Sequence, residues 1–113
     1  MAPPADRLQG TLDLLILRVL ATDPMHGWGI AQRLRALSDD LFQVNQGSLY
    51  PCLHRLEDQD WISASWGTTE NNRRARYYRL TRAGARQLER EQASWRTFAD
   101  TVDRVLSLAG GAA

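Results

Sequence analysis

Ser48-Leu49-Tyr50-Pro51-Cys52-Leu53-His54-Arg55-Leu56 is the stretch on which the fold turns. Leu49, Leu53 and Leu56 recur at helical spacing and share one face. Pro51 carries no backbone N–H, so its natural place is the first turn of a helix, where donors lack partners anyway. That logic makes Ser48 the N-cap, its hydroxyl accepting a freed N–H, and puts Pro51 at the third helical position. Tyr50 and His54, four residues apart, fall on a different and more exposed stripe.

Downstream, Ile62, Ala64 and Trp66 alternate with Ser63 and Ser65, the pattern of a half-buried strand. Tyr78 and Leu80 alternate with Tyr77 and Arg79 in a second one. The polar segment between them, residues 67–75, reads as a flexible hairpin tip. Six arginines (Arg73, Arg74, Arg76, Arg79, Arg82 and Arg86) lie between positions 73 and 86 with no acidic residue among them, in a chain of net charge +1. So local a cluster on a nearly neutral chain points to an aimed electrostatic contact rather than to solubility. Thr81 is the expected N-cap of a long last helix. Leu88, Trp95, Phe98, Ala99, Val102, Val105 and Leu106 give that helix a wide apolar stripe. Three helices and a hairpin do not cover such a stripe along its length, so a second copy of the chain is its expected cover.

Upstream, Leu8, Leu12, Leu15, Ile16, Val19 and Leu20 keep three-and-four spacing on a first helix. Asp6 with Gln9 is a candidate cap for its start, and Asp23-Pro24 ends it. A second helix opens near Gly27 and turns Ile30, Ala31, Leu34 and Leu37 inward. The expected organisation is a flexible N-terminus (1–7), a DNA-binding unit (8–80), a C-terminal dimerisation helix (81–108) and a flexible tail (109–113). The fold class is mainly α with a small β-hairpin.

Composition narrows the function. The 113 residues suit one domain with a modest core, and 43% apolar with 24% charged residues is ordinary for a soluble chain. All 14 basic residues are arginine, the residue suited to phosphate and guanine edges. Cys52 is the sole cysteine, so an intrachain disulfide and a cysteine-rich zinc site are both excluded. No apolar run approaches the ~20 residues of a membrane helix, and no signal pattern opens the chain, so the expected location is the cytoplasm, with no membrane partner. No nucleophile–base–acid set, Gly-rich phosphate loop or metal-ligand spacing occurs. The expectation is therefore a non-enzyme without metal or cofactor.

A short helix followed by a basic two-stranded flap is the arrangement with which winged helix-turn-helix proteins grip DNA. Four blocks carry a further likeness. They are residues 15–20 (Leu-Ile-Leu-Arg-Val-Leu), 24–28 (Pro-Met-His-Gly-Trp), 45–57 (Asn-Gln-Gly-Ser-Leu-Tyr-Pro-Cys-Leu-His-Arg-Leu-Glu) and 73–84 (Arg-Arg-Ala-Arg-Tyr-Tyr-Arg-Leu-Thr-Arg-Ala-Gly). Together, in this order, they resemble the PadR family of bacterial transcriptional regulators over about residues 8–108. The short chain with one C-terminal helix is similar to the smaller PadR subfamily. The resemblance implies a homodimeric repressor. Its third helix enters the major groove of double-stranded operator DNA, its wing follows the backbone or minor groove, and its last helix makes the dimer. It also implies that Gln46, Gly47, Ser48 and Tyr50 lie at the DNA surface. Some relatives bind planar aromatic compounds between the subunits, which makes a small aromatic or hydrophobic effector a candidate partner. Trp28 stands where the family usually has tyrosine, and Asp60 where it usually has glycine. Aspartate tolerates positive φ, so the turn at Asp60 is expected to survive.

Each candidate has a plain structural reading beside the functional one. Arg73, Arg74 and Arg76 have only Glu70 near them in sequence, which favours phosphate contact over mutual neutralisation. Arg79 and Arg82 are assigned to supporting the fold instead. Tyr50 is either a core aromatic or a phosphate contact, and the leucine stripe already supplies the core. Ser48 is a cap, a DNA contact, or both. Gln46 is an adenine reader or an ordinary loop residue. His54 is placed to touch phosphate, whereas His26 is read as structural at the start of the second helix. The dimer seam is assigned to Leu88, Trp95, Phe98, Val102, Val105 and Leu106. Trp95 and Phe98 are also the candidate effector contacts. The alternative is a winged-helix ligand-sensing or protein-interaction module that does not bind DNA.

Overall fold

The computed structural model describes residues 4–108. In chain order it has α1 (Pro4–Leu20), β1 (Met25–His26), α2 (Gly27–Leu37), α3 (Gln46–Asp58), β2 (Ile62–Thr68), β3 (Arg74–Leu80) and α4 (Arg82–Leu106). The three strands form one antiparallel sheet in the order β1-β3-β2. The mainly helical class with a small sheet is therefore as expected, with one strand more than the hairpin. The expected tail, 109–113, lies outside the described residues. So do residues 1–3 of the expected N-terminal segment, while residues 4–7 belong to α1. Because α1 begins at Pro4, Asp6 lies inside it rather than at its cap.

Helix α1 is the axis of the core. Leu14, Ile16, Leu17, Val19 and Leu20 are all buried, more than one stripe's worth, because α2, α3, α4 and the sheet surround the helix. They meet Ile30 and Leu34 of α2, Leu49, Cys52, Leu53 and Leu56 of α3, Ile62, Tyr78 and Leu88. Leu37, expected to face inward, is instead 67% exposed, beyond the reach of the core at the end of α2.

The start of α3 differs from expectation. Asn45, not Ser48, is the N-cap, and its Oδ1 accepts the N–H of Ser48 at 2.9 Å. Pro51 therefore sits at the sixth helical position and leaves the carbonyl of Gly47 without its helical donor. Gly47 and Pro51 are both exposed, so water can take over that carbonyl. Hence the proline costs little there.

The turn from α3 into β2 uses Asp60 at φ 62°, and aspartate does hold the left-handed conformation. Thr81 caps α4 as expected, its Oγ1 accepting from Gly84 N at 3.0 Å. It also donates to Asp60 O at 2.6 Å, tying the start of α4 to that turn. From there α4 runs 25 residues, about 37 Å. The radius of gyration is 16.5 Å, against roughly 13 Å for a rounded domain of this size, because the far half of α4 projects from the body.

Candidate nucleic-acid interface

Helix α3 presents two faces. The inner one carries Leu49, Cys52, Leu53 and Leu56 into the core. The outer one exposes Gln46, Tyr50 and His54 at successive four-residue steps, with Gly47 and Ser48 beside them in the first turn. Since Asn45 does the capping, Ser48 is left as an exposed side chain at the helix N-terminus. Unpaired N–H groups and the positive end of the helix dipole favour an anion there.

Tyr50 is not a core aromatic: it is about one-third exposed. Its ring lies against the start of α2, where a Cβ added to Gly27 would stand 2.7 Å from the tyrosine oxygen. That contact holds the phenol at the mouth of a cleft of about 770 Å³ between the β1–α2 corner and the hairpin. Arg73, Arg74 and Arg76 line the same cleft, as do His26, Trp28, Tyr77 and Tyr78. Tyr50 and the three arginines are thereby brought together. Gln46, Gly47, Ser48 and His54 are not among the lining residues and stay on the open face of α3.

His26 has the structural role expected of it. It caps α2, with Nδ1 accepting from Gly29 N at 3.0 Å, and it meets Tyr77 edge-on at 5.3 Å. Trp28 is largely exposed, with its ring 6.3 Å from that of His26.

The hairpin tip is shorter and more ordered than its composition suggests. Thr69 N donates to Arg73 O, Asn72 N to Thr69 O, and Arg73 N to the Thr69 hydroxyl, with Asn72 at φ 62°. Arg73 is exposed at this tip and makes no ion pair among the described residues. The Arg74 guanidinium lies 4.7 Å from the centre of the Trp66 ring. Trp66, expected to turn inward, is 61% exposed, because the sheet outruns the core at that end. That cation–π contact steadies the Arg74 guanidinium, and the side chain stays exposed. Arg79 and Arg82 are exposed, with no described ion pair.

Arg76 is different. Its Nη2 lies 2.9 Å from Glu57 Oε2, at the end of α3. Sequence proximity hid this partner, because 19 residues separate the two. Arg76 is thus already neutralised, which corrects the expectation of a free cation.

A second polar cluster fixes α3 on α1. Arg55 pairs with Asp13, and the Cys52 thiol donates to the same carboxylate. Burial, reinforced by the Asp13 acceptor and its charge, pushes the thiol up from 9.0 to about 12. The folded protein therefore favours the protonated thiol. That preference is complete below pH 9 and is lost as the pH rises from about 9 through 12. Cys52 is expected to resist iodoacetamide at pH 8 in the native protein and to react readily in urea, as read by intact mass. Equal labelling in both states would contradict the burial.

At the other end, the α4 stripe is partly open to solvent. Trp95 is 46% exposed, Val105 59% and Leu106 75%, with Phe98 and Val102 also exposed. Trp95 and Phe98 also line a groove of about 220 Å³ with Gly10, Thr11 and Leu14 of α1. Leu88 is the exception. It is only 5% exposed, inside the chain's own core, and has almost no surface to offer a partner. No helix among the described residues is long and apolar enough to cross a membrane.

A family model described as "Transcriptional regulator PadR-like family" matches residues 16–90. An uncharacterised protein X from Lysinibacillus sphaericus is 28% identical over 99 residues, covering 88% of this chain and 91% of its own. Among solved structures, a transcriptional regulator from Clostridium thermocellum superposes with a TM-score of 0.79 at 26% identity, over 88% of this chain and 96% of that one. A PadR-like transcription factor from Bacteroides fragilis gives 0.74 at 30% identity, over 89% and 95%. A PadR-like transcriptional regulator from Bacillus cereus gives 0.77 at 26%, over 90% and 97%.

Proposed function

The chain belongs to the PadR-like family of transcriptional regulators, and from that premise we propose that it is a homodimeric, sequence-specific DNA-binding repressor acting in the cytoplasm. The observation that carries the proposal is the shared cleft: Tyr50 of α3 and Arg73 and Arg74 of the hairpin converge on it, beside the open face of α3. A duplex laid along that side meets base-reading candidates from Gln46 to Ser48 and phosphate contacts from Tyr50, His54, Arg73 and Arg74. Two copies joined along α4 would present two α3 helices to half-sites about 34–36 Å apart. The groove lined by Trp95 and Phe98 is the place for a small hydrophobic or aromatic effector, whose binding would shift the spacing of the two α3 helices.

Phosphate neutralisation releases counterions, so log affinity falls with log salt by about 0.9 per contact. Arg73→Ala combined with Arg74→Ala removes up to four contacts from a dimer. The expected result, in a gel-shift series on the DNA upstream of the protein's own gene, is weaker binding to every sequence. The salt slope should become shallower by up to about 3.6. An unchanged slope would remove the hairpin from the interface. Failure of the wild-type protein to bind that DNA at low salt would favour a sensing or interaction module on the same fold.

A further inference from the structure

Three arginines line the cleft between the hairpin and the β1–α2 corner, yet one of them is held. Arg76 donates to Glu57 at 2.9 Å, with both side chains about one-third exposed, and its guanidinium lies 6.0 Å from the centre of the Tyr78 ring. The bond is charge-assisted, and partial burial shields it from salt better than a surface pair is shielded. Glu57 belongs to the last turn of α3 and Arg76 to the middle of β3, so the pair also bolts the helix to the sheet. Arg76 lines the cleft a DNA phosphate would enter, and its Nη2 is already taken by the Glu57 carboxylate.

We propose that Glu57 sets the strength of the backbone grip: it withholds Arg76 from the DNA backbone and so lowers the sequence-independent part of the affinity. The inference rests on the DNA-binding reading above. Phosphate contacts strengthen binding to every sequence alike, whereas base contacts discriminate. Capping the number of free arginines in the cleft at two leaves a larger share of the affinity to the outer face of α3. Glu57 and Arg76 neutralise each other, so the pair is electrically silent towards DNA. Removing the glutamate charge alone uncovers one cation per subunit.

The test uses the full chain and two duplexes of equal length, the upstream DNA of its own gene and a scrambled version. Binding is followed by fluorescence anisotropy across a salt series, with Tm measured for each variant. Glu57→Gln keeps the shape and hydrogen-bonding capacity of the side chain. It should raise affinity for the scrambled duplex roughly five- to tenfold and steepen the salt slope by about 1.8 per dimer, two contacts at about 0.9 each. The upstream duplex should gain by the same factor, so the ratio of the two affinities should stay near wild type. Glu57→Gln with Arg76→Gln restores a neutral pair and should return both affinity and slope to wild type.

A double variant with a slope about 1.8 shallower than wild type would mean that Arg76 already touches phosphate, and would overturn the proposal. A double variant that keeps the gain would show that Glu57 repels DNA directly, with the same consequence. A folded Glu57→Gln protein with wild-type affinity for the scrambled duplex would also overturn it. Should the single variant fail to fold, a double variant with a slope shallower than wild type would still overturn the proposal. Wild-type protein that binds neither duplex would instead sink the DNA-binding reading, and this inference with it.

Discussion

Gly84→Ala is expected to destabilise the protein by about 3 kcal/mol or more, although alanine is the better helix former by about 1 kcal/mol. A Cβ at position 84 would stand 1.9 Å from the Trp61 carbonyl oxygen and 2.8 Å from Leu80 Cδ1. The carbonyl cannot retreat cheaply. It accepts from Thr81 N at 3.0 Å, while Trp61 N donates to Leu56 O at 3.1 Å. Thr81 is itself engaged with Asp60 O and Gly84 N. Relief therefore means lifting the start of α4 off the α3–β2 turn. That breaks the cap, at about 1 kcal/mol, and hydrogen bonds at about 1 kcal/mol each. It also draws Leu88 out of the core, a further 1.5–3 kcal/mol. Against a typical total stability of 5–15 kcal/mol, the loss is large. Thermal unfolding at matched protein concentration should show Tm lower by roughly 12 °C or more. A Tm at or above wild type, as the same change gives in an unconstrained helix, would show that α4 does not press on that turn.

The clash at Gly84 also shows where sequence reasoning reaches and where it stops. Thr81 was legible as the cap of α4, and His26 as a structural residue at the start of α2, because both act on backbone three residues away. The packing of Gly84 on Trp61 was not legible, since it joins two elements across a turn and a strand pair. The α3 boundary lies three residues before the one the sequence predicts, for a definable reason. Pro51 suits the first turn, but a proline deeper in a helix is tolerated when the carbonyl it orphans is exposed. Asn45, as good a cap type as serine, was the competing signal. Strand β1 has two residues and no pattern of its own. It exists through pairing with Tyr77 and Tyr78. Trp66 kept the strand alternation yet lies exposed, because periodicity gives the face of a strand and not how far the core extends beneath it.

The candidate site divides in the same way. Residue type and clustering picked out Tyr50, Arg73 and Arg74, which do share a cleft. The pairing of Arg76 with Glu57, and that of Arg55 with Asp13 forty-two residues away, needed the fold. Both ion pairs anchor α3, one to the sheet and one to α1. The helix that presents the outer face is therefore held from both sides. Position, rather than the number of basic residues, separates exposed arginines from arginines that hold the frame.

Introducing charge on the projecting half of α4 should be the most damaging change to DNA binding. Phe98→Glu with Val102→Glu places two carboxylates on a face that a single chain leaves about one-third exposed at these positions. Both residues are exposed in the isolated subunit, so its own core, which lies around α1, should survive the change. A second copy laid on that face would have to bury the new carboxylates unpaired, at a cost of several kcal/mol. The expected outcome in light scattering is a shift from a pair of 12.8 kDa chains to a single one, with the helical circular-dichroism signal retained per residue. Specific complexes of such regulators typically hold at about 10⁻⁸–10⁻¹¹ M, and much of that tightness comes from two half-sites bound by one rigid body. A lone subunit keeps one α3 and one hairpin, so affinity for the upstream DNA should fall about 10³-fold or more, towards the non-specific range. Arg73→Ala with Arg74→Ala, by contrast, should weaken binding while leaving the dimer intact. Wild-type protein that runs as a single chain at micromolar concentration would overturn the dimer outright. A charged variant that still dimerises would place the contact elsewhere on the chain.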